Sequence, residues 1–140
     1  ACAYFESPNK NLEEAQLAKK RHIASKLLVP SGASVLDIGS GWGGLALYLA
    51  GSFDADVTGL TLSTEQLKVS ERRAREKYLD SRGYFLLKDY RALEKTFDRI
   101  VQEKILRPQP LRFQFNKLPQ EIFLVSGLIK SPGFHYSLIP

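Results

Sequence analysis

The chain has 140 residues, 44% hydrophobic and 25% charged, with 20 basic and 15 acidic side chains for a net charge of +5. One compact domain of ordinary globular composition accounts for such a chain, and no apolar run approaches the ~20 residues of a membrane-spanning helix. A single cysteine excludes an internal disulfide and fits a reducing cytoplasm.

Residues 1–10 read as an irregular lead-in punctuated by Pro8, with no signal-peptide pattern. No residue is methionine, as expected of a piece of a longer product. A helix is predicted from Leu12. Asn11 caps it, Glu14 is the reciprocal partner, and Leu12, Ala15, Ala18, Ile23 and Leu27 form its apolar stripe. Pro30, Ser31 and Gly32 then break the chain. Val35-Leu36-Asp37-Ile38 is a short, mostly apolar strand of the kind found inside parallel sheets. The glycine-rich turn Gly39-Ser40-Gly41-Trp42-Gly43-Gly44 follows, then a short helix from Leu45 to Ala50 that Gly51 can end. Asp56 to Leu60 is a second strand. Ser63 opens a charged helix running to about Leu79, with Gln66 in the capping-box position. Tyr84 to Leu87 is a third strand, and Phe97 begins a fourth that reaches Val101. Strands alternating with helices predict an α/β fold with a parallel sheet and right-handed crossovers.

Residues 102–140 differ. They hold five of the seven prolines, and five basic residues against two acidic ones. Proline at that density interrupts helices and central strands, although Gln120 to Ile129 suits a strand or a short helix. The chain therefore divides into an α/β part, 1–101, and a Pro-rich basic tail, 102–140.

A strand, a glycine turn and a helix form a nucleotide-binding element, because missing side chains let a ligand approach the backbone and the helix start offers free amides. Gly39, Gly41 and Gly44 fit the dinucleotide fingerprint, a weak signal when isolated. Two features favour S-adenosyl-L-methionine over a dinucleotide. Asp37 lies two residues before the first glycine, where a carboxylate can orient the turn and reach an ammonium group. Just past the second strand stands Thr61, where a dinucleotide site wants an acidic residue; a hydroxyl there weakens the nicotinamide reading and also departs from the acidic residue many methyltransferases use.

Six segments then become specific: Cys2-Ala3-Tyr4-Phe5, Leu12-Glu13-Glu14-Ala15-Gln16, the run Val35 to Gly44, the run Gly59 to Gln66, Lys88-Asp89-Tyr90-Arg91, and Phe97 to Val101. In them the chain resembles the cyclopropane-fatty-acyl-phospholipid synthase family, which includes the mycolic acid cyclopropane synthases. The resemblance implies a Rossmann-like methyltransferase fold. It also implies transfer of a methyl group from S-adenosyl-L-methionine to a cis double bond of a phospholipid acyl chain, with proton loss closing a three-membered ring. By the same resemblance Gly39, Gly41 and Gly43 line the methionine part of the cofactor, with Ser40 and Trp42 in the same turn. Asp37 supports that turn, Thr61, Leu62 and Gln66 meet the adenosine, and Tyr90 and Arg91 flank the adenine. Cys2 matches a catalytic cysteine beside a bicarbonate that removes the proton.

Simpler roles stand beside these. Gln66 serves equally as a helix cap, Trp42 as packing between the turn and the first helix, and Cys2 as a small unreactive side chain. Lys19-Lys20-Arg21-His22 reads as a solvated helix face or, as the family implies, a contact with an anionic membrane surface. The expected location is cytoplasmic, peripheral to the membrane's inner face. Basic and aromatic residues are not interleaved as in a nucleic-acid module, so no nucleic-acid partner is expected. His22 and His135 lack partners at metal-ligand spacing.

The chain also departs from the family. Where the family has an adjacent Glu-His pair after the fourth strand, the chain reads Gln102-Glu103-Lys104-Ile105. The resemblance thus predicts a sheet truncated after its fourth strand, with an open edge and an uncovered apolar face. That leaves two functions open: a cyclopropane-synthase-type methyltransferase, or a non-catalytic half-domain that binds a cofactor or partner.

Overall fold

The structure, a computed structural model, describes residues 11–102 and the backbone of 122–124. Helix α1 (Leu12–Leu27) starts at a complete capping box. The Asn11 side chain accepts from the Glu14 amide at 2.9 Å, and the Asn11 amide donates back to the Glu14 carboxylate at 3.1 Å. Its buried stripe begins at Ala15, one turn later than the sequence pattern implies, because Leu12 in the first turn is exposed.

After α1 come β1 (Ser34–Ile38), α2 (Gly44–Phe53), β2 (Asp56–Thr61), α3 (Thr64–Glu76) and β3 (Gly83–Leu87). A single 3-10 turn at Tyr90–Ala92 precedes β4 (Arg99–Gln102), and β5 (Ile122–Leu124) is the last strand described. All pairings are parallel, and the strand order is β3-β2-β1-β4-β5. From β1 the chain winds outward through β2 to β3, then crosses back to lay β4 on the other side of β1. Such a reversal opens a crevice at the carboxyl ends of the central strands, where α/β sheets bind ligands.

The pleat separates two cores. Val35, Val57, Phe85 and Val101 point to one face, where they meet Ile23, Ala24 and Leu27 of α1, Leu45 to Ala50 of α2, and Ala74 of α3. All three helices thus cover the same face. Burying each of Ile23, Leu27 and Leu49 stabilises the fold by about 1.5–3 kcal/mol. On the other face Leu36, Ile38, Leu60 and Ile100 pack with Phe97, and Tyr90 and Leu93 lie against them.

β4 begins at Arg99, two residues later than the sequence reading. Phe97 instead enters the second core, and Asp98 is engaged by Ser34, whose backbone amide and hydroxyl donate to its carboxylate at 2.8 and 3.0 Å. Those bonds hold the Asp98 carboxyl below the usual carboxylate range. Arg99 Nε donates to the Leu27 carbonyl at 2.8 Å, joining β4 to the end of α1.

The sheet also continues past its expected last strand. Ile122-Phe123-Leu124, an apolar run free of proline, pairs with β4 in the register Ile100 to Ile122, Val101 to Phe123 and Gln102 to Leu124. No helix among the described residues is long and apolar enough to cross a membrane.

Candidate functional site

The chain leaves β1 through three left-handed glycines: Gly39 (φ +75°), Gly41 (φ +56°) and Gly43 (φ +79°). This conformation costs an L side chain roughly 1–2 kcal/mol, which is why glycine recurs here. The three are not equivalent. A Cβ on Gly39 or Gly41 would meet nothing within 4 Å, so the backbone there borders open space. A Cβ on Gly43 would lie 2.9 Å from Phe85 Cζ and 3.1 Å from Ser70 Cβ. Gly43 therefore turns its bare side to the core, and it is the N-cap of α2. Its amide donates to the Ser40 carbonyl at 3.0 Å, and the Ser40 amide donates to the Leu60 carbonyl at 2.8 Å, tying the turn to the end of β2.

Asp37 is 1% exposed and sits in register between Gly59 of β2 and Val101 of β4. It brings a carboxyl group to the carboxyl end of the central strand, two residues before the turn. Gly59 keeps the neighbouring strand close. A Cβ there would fall 2.7 Å from Phe85 Cδ1 and 2.9 Å from Ser40 Cβ. Trp42 is half exposed.

At the end of β2 the structure revises the expected capping box of α3. Ser63 Oγ accepts from the Gln66 amide at 3.3 Å, as the sequence predicts. The Gln66 side chain does not return to the Ser63 amide. Thr61 Oγ1 takes that amide at 3.1 Å and donates its own proton to Gln66 Oε1 at 2.7 Å. Thr61 and Gln66 are thus one unit, and the amide nitrogen of Gln66 keeps its donors. Leu62 between them is exposed.

Beyond β3, Asp89 caps the 3-10 turn. Its carboxylate accepts from the Arg91 backbone amide at 2.9 Å, and from Arg91 Nε and Nη2 at 2.9 and 2.6 Å. This fork holds the Asp89 carboxyl at a pKa of about 2. Tyr90 is half-buried on the second core, and burial pushes its hydroxyl up. We expect NMR titration of Asp89 to give a midpoint near 2, moving toward 3.8 in Arg91→Ala. The folded value is the lower one, so the pair favours the native state above about pH 4 and loses that contribution as pH falls through about 2. The pair is on the surface, so the accompanying change in stability is small.

The structure therefore gathers Asp37, Gly39, Ser40, Gly41, Trp42 and Gly43 with Thr61, Leu62 and Gln66, and with Tyr90 and Arg91, at the carboxyl ends of three adjacent parallel strands. Cys2 lies outside the described residues. Sequence reasoning missed Ser70, Arg73 and Phe85, which hold the turn from behind. The available signal was the spacing of Gln66, Ser70 and Arg73 along one face of α3.

The strand order, the glycine turn after β1 and the polar end of β2 define a Rossmann-like methyltransferase fold. The structure aligns with coclaurine N-methyltransferase bound to N-methylheliamine and SAH at a TM-score of 0.69, with 30% identity over 73% of this chain and 31% of that one. It aligns with the mycolic acid cyclopropane synthase CmaA1 complexed with SAH and CTAB at a TM-score of 0.68, with 34% identity over 73% of this chain and 36% of that one. The chain belongs to the mycolic acid cyclopropane synthetase family, which it matches over residues 1–107. It is 48% identical over 101 residues to the cyclopropane-fatty-acyl-phospholipid synthase of Escherichia coli (strain K12), a match covering 72% of this chain and 25% of that protein. The chain thus spans about a quarter of that relative's length.

Proposed function

We propose that the crevice binds S-adenosyl-L-methionine, and that the chain is the cofactor-binding part of a methyltransferase acting on a cis double bond of an unsaturated phospholipid acyl chain. The observation that carries this reading is the open backbone at Gly39 and Gly41, flanked by the buried Asp37 and the Thr61–Gln66 pair. The residues fit the group: bare backbone for the amino-acid part, a carboxyl nearby for its ammonium, and amide and hydroxyl groups for the ribose and adenine. When bound, the cofactor supplies an electrophilic methyl group. The protein's part is to hold it in one orientation and keep water from the reacting centre. The net charge of +5 suits an anionic membrane surface as the place where the acyl chain is met.

A second reading, a non-catalytic half-domain that binds the cofactor alone, is favoured by one observation. No adjacent Glu-His pair follows β4 in the sequence.

Calorimetric titration of the chain with S-adenosyl-L-methionine tests the site, with Gly41→Val as control. The valine side chain would project into the open space beside the turn and strain a residue at φ +56°. We expect saturable binding that weakens at least ~tenfold in Gly41→Val, the loss of a hydrogen bond or two. A folded chain that does not bind excludes the proposal. Incubating the bound chain with methyl-labelled cofactor and unsaturated phospholipid vesicles separates the two functions: label in the lipid supports the transferase, and its absence supports the binding half-domain.

A further inference from the structure

The turn is held from the side opposite its open face. Ser70, fully buried on α3, has its hydroxyl 3.2 Å from the Gly41 carbonyl oxygen and 2.8 Å from that of Gln66, and its single proton is shared between them. One turn on, Arg73 Nη1 donates to the Trp42 carbonyl at 3.0 Å, a charge-assisted bond. In a planar trans peptide the carbonyl and the following N–H point in opposite directions. Drawing the Gly41 carbonyl toward α3 therefore turns the Trp42 N–H away from α3. Drawing the Trp42 carbonyl the same way turns the Gly43 N–H back toward Ser40, whose carbonyl it meets at 3.0 Å. Two side chains one turn apart thus set the direction of two consecutive peptide groups. The same helix face carries Gln66, bonded to Thr61 at the end of β2.

We infer that Ser70 and Arg73 are positioning residues. Through α3 they set the peptide planes of the glycine turn and the spacing between the turn and the Thr61–Gln66 pair, so that the two halves of one ligand are met together. The inference rests on the cofactor-site reading above. It makes α3 a brace between the amino-acid end and the adenosine end of the crevice, and it assigns the Trp42 N–H as a donor toward the ligand.

The test compares two ligands. S-adenosylhomocysteine has both ends, whereas 5′-methylthioadenosine lacks the amino-acid part. We expect Ser70→Ala and Arg73→Ala each to weaken S-adenosylhomocysteine binding about tenfold, the effect of one hydrogen bond. Binding of 5′-methylthioadenosine stays within about twofold of wild type. Arg73→Lys, which keeps a donor, recovers part of the loss. Equal weakening of both ligands, or of neither, overturns the positioning role. A wild-type chain that binds 5′-methylthioadenosine but gains nothing from the amino-acid part also overturns it, while a wild-type chain that binds neither ligand overturns the cofactor site itself. Arg73 is exposed, so its variants carry the test even if Ser70→Ala fails to fold.

Discussion

Gly43→Ala is expected to destabilise the native state by about 2–4 kcal/mol, read from the midpoint of urea unfolding at unchanged slope. Two costs combine. The residue sits at φ +79°, where a side chain costs roughly 1–2 kcal/mol. Its Cβ would also lie 2.9 Å from the Phe85 ring and 3.1 Å from Ser70, and overpacking of this kind typically costs about 1–3 kcal/mol. Gly41→Ala is the matched control. It has the strain without the clash, since nothing lies within 4 Å of its Cβ position. The difference between the two variants isolates the packing cost. If they unfold at the same midpoint, the closed face of the turn is not where the structure places it.

Phe85→Ala is expected to cost about 3–5 kcal/mol, the usual range for removing a buried aromatic ring. The ring is the wedge of the site. It fills the space left by the absent side chains of Gly43 and Gly59, and it belongs to the core shared by all three helices. The double variant Gly43→Ala/Phe85→Ala carries the sharper expectation, because the cavity left by the ring accommodates the new methyl group. Its destabilisation falls short of the sum of the single variants by 1 kcal/mol or so, the coupling typical of residues in contact. Strict additivity by the same urea measurement would show that the ring does not press on the turn.

Much of this was legible in the chain itself, where the signal is local. Asn11 with Glu14 announces a helix start three residues apart, and Val-Leu-Asp-Ile-Gly announces a central strand running into a tight turn. What was not legible depends on residues that meet only after folding. Gly39, Gly41 and Gly43 share a left-handed conformation, so the arrival of Phe85 from β3 and Ser70 from α3 is what tells Gly43 from the other two. Gln66 satisfies the capping-box pattern, yet its side chain accepts from Thr61 Oγ1 at 2.7 Å, a contact made as the chain turns from the end of β2 into α3. In the tail, Gln120 to Ile129 suits a strand or a short helix alike, and only the pairing with β4 selects a strand, at Ile122 to Leu124.

The strand order also has a consequence in time. β1 meets β2 after one helix, but Ser34 and Asp98, which open its contact with β4, are 64 residues apart. The entropy lost in closing a loop rises with its length, so near neighbours along the chain associate first and distant ones later. The winding from β1 through α2, β2 and α3 to β3 is built wholly from such short closures. That stretch holds the turn, the Thr61–Gln66 pair and the α3 brace, with the Tyr90–Arg91 corner immediately after it. The ligand-facing part of the molecule is therefore expected to assemble early, and β4 to dock onto a crevice whose other wall already exists.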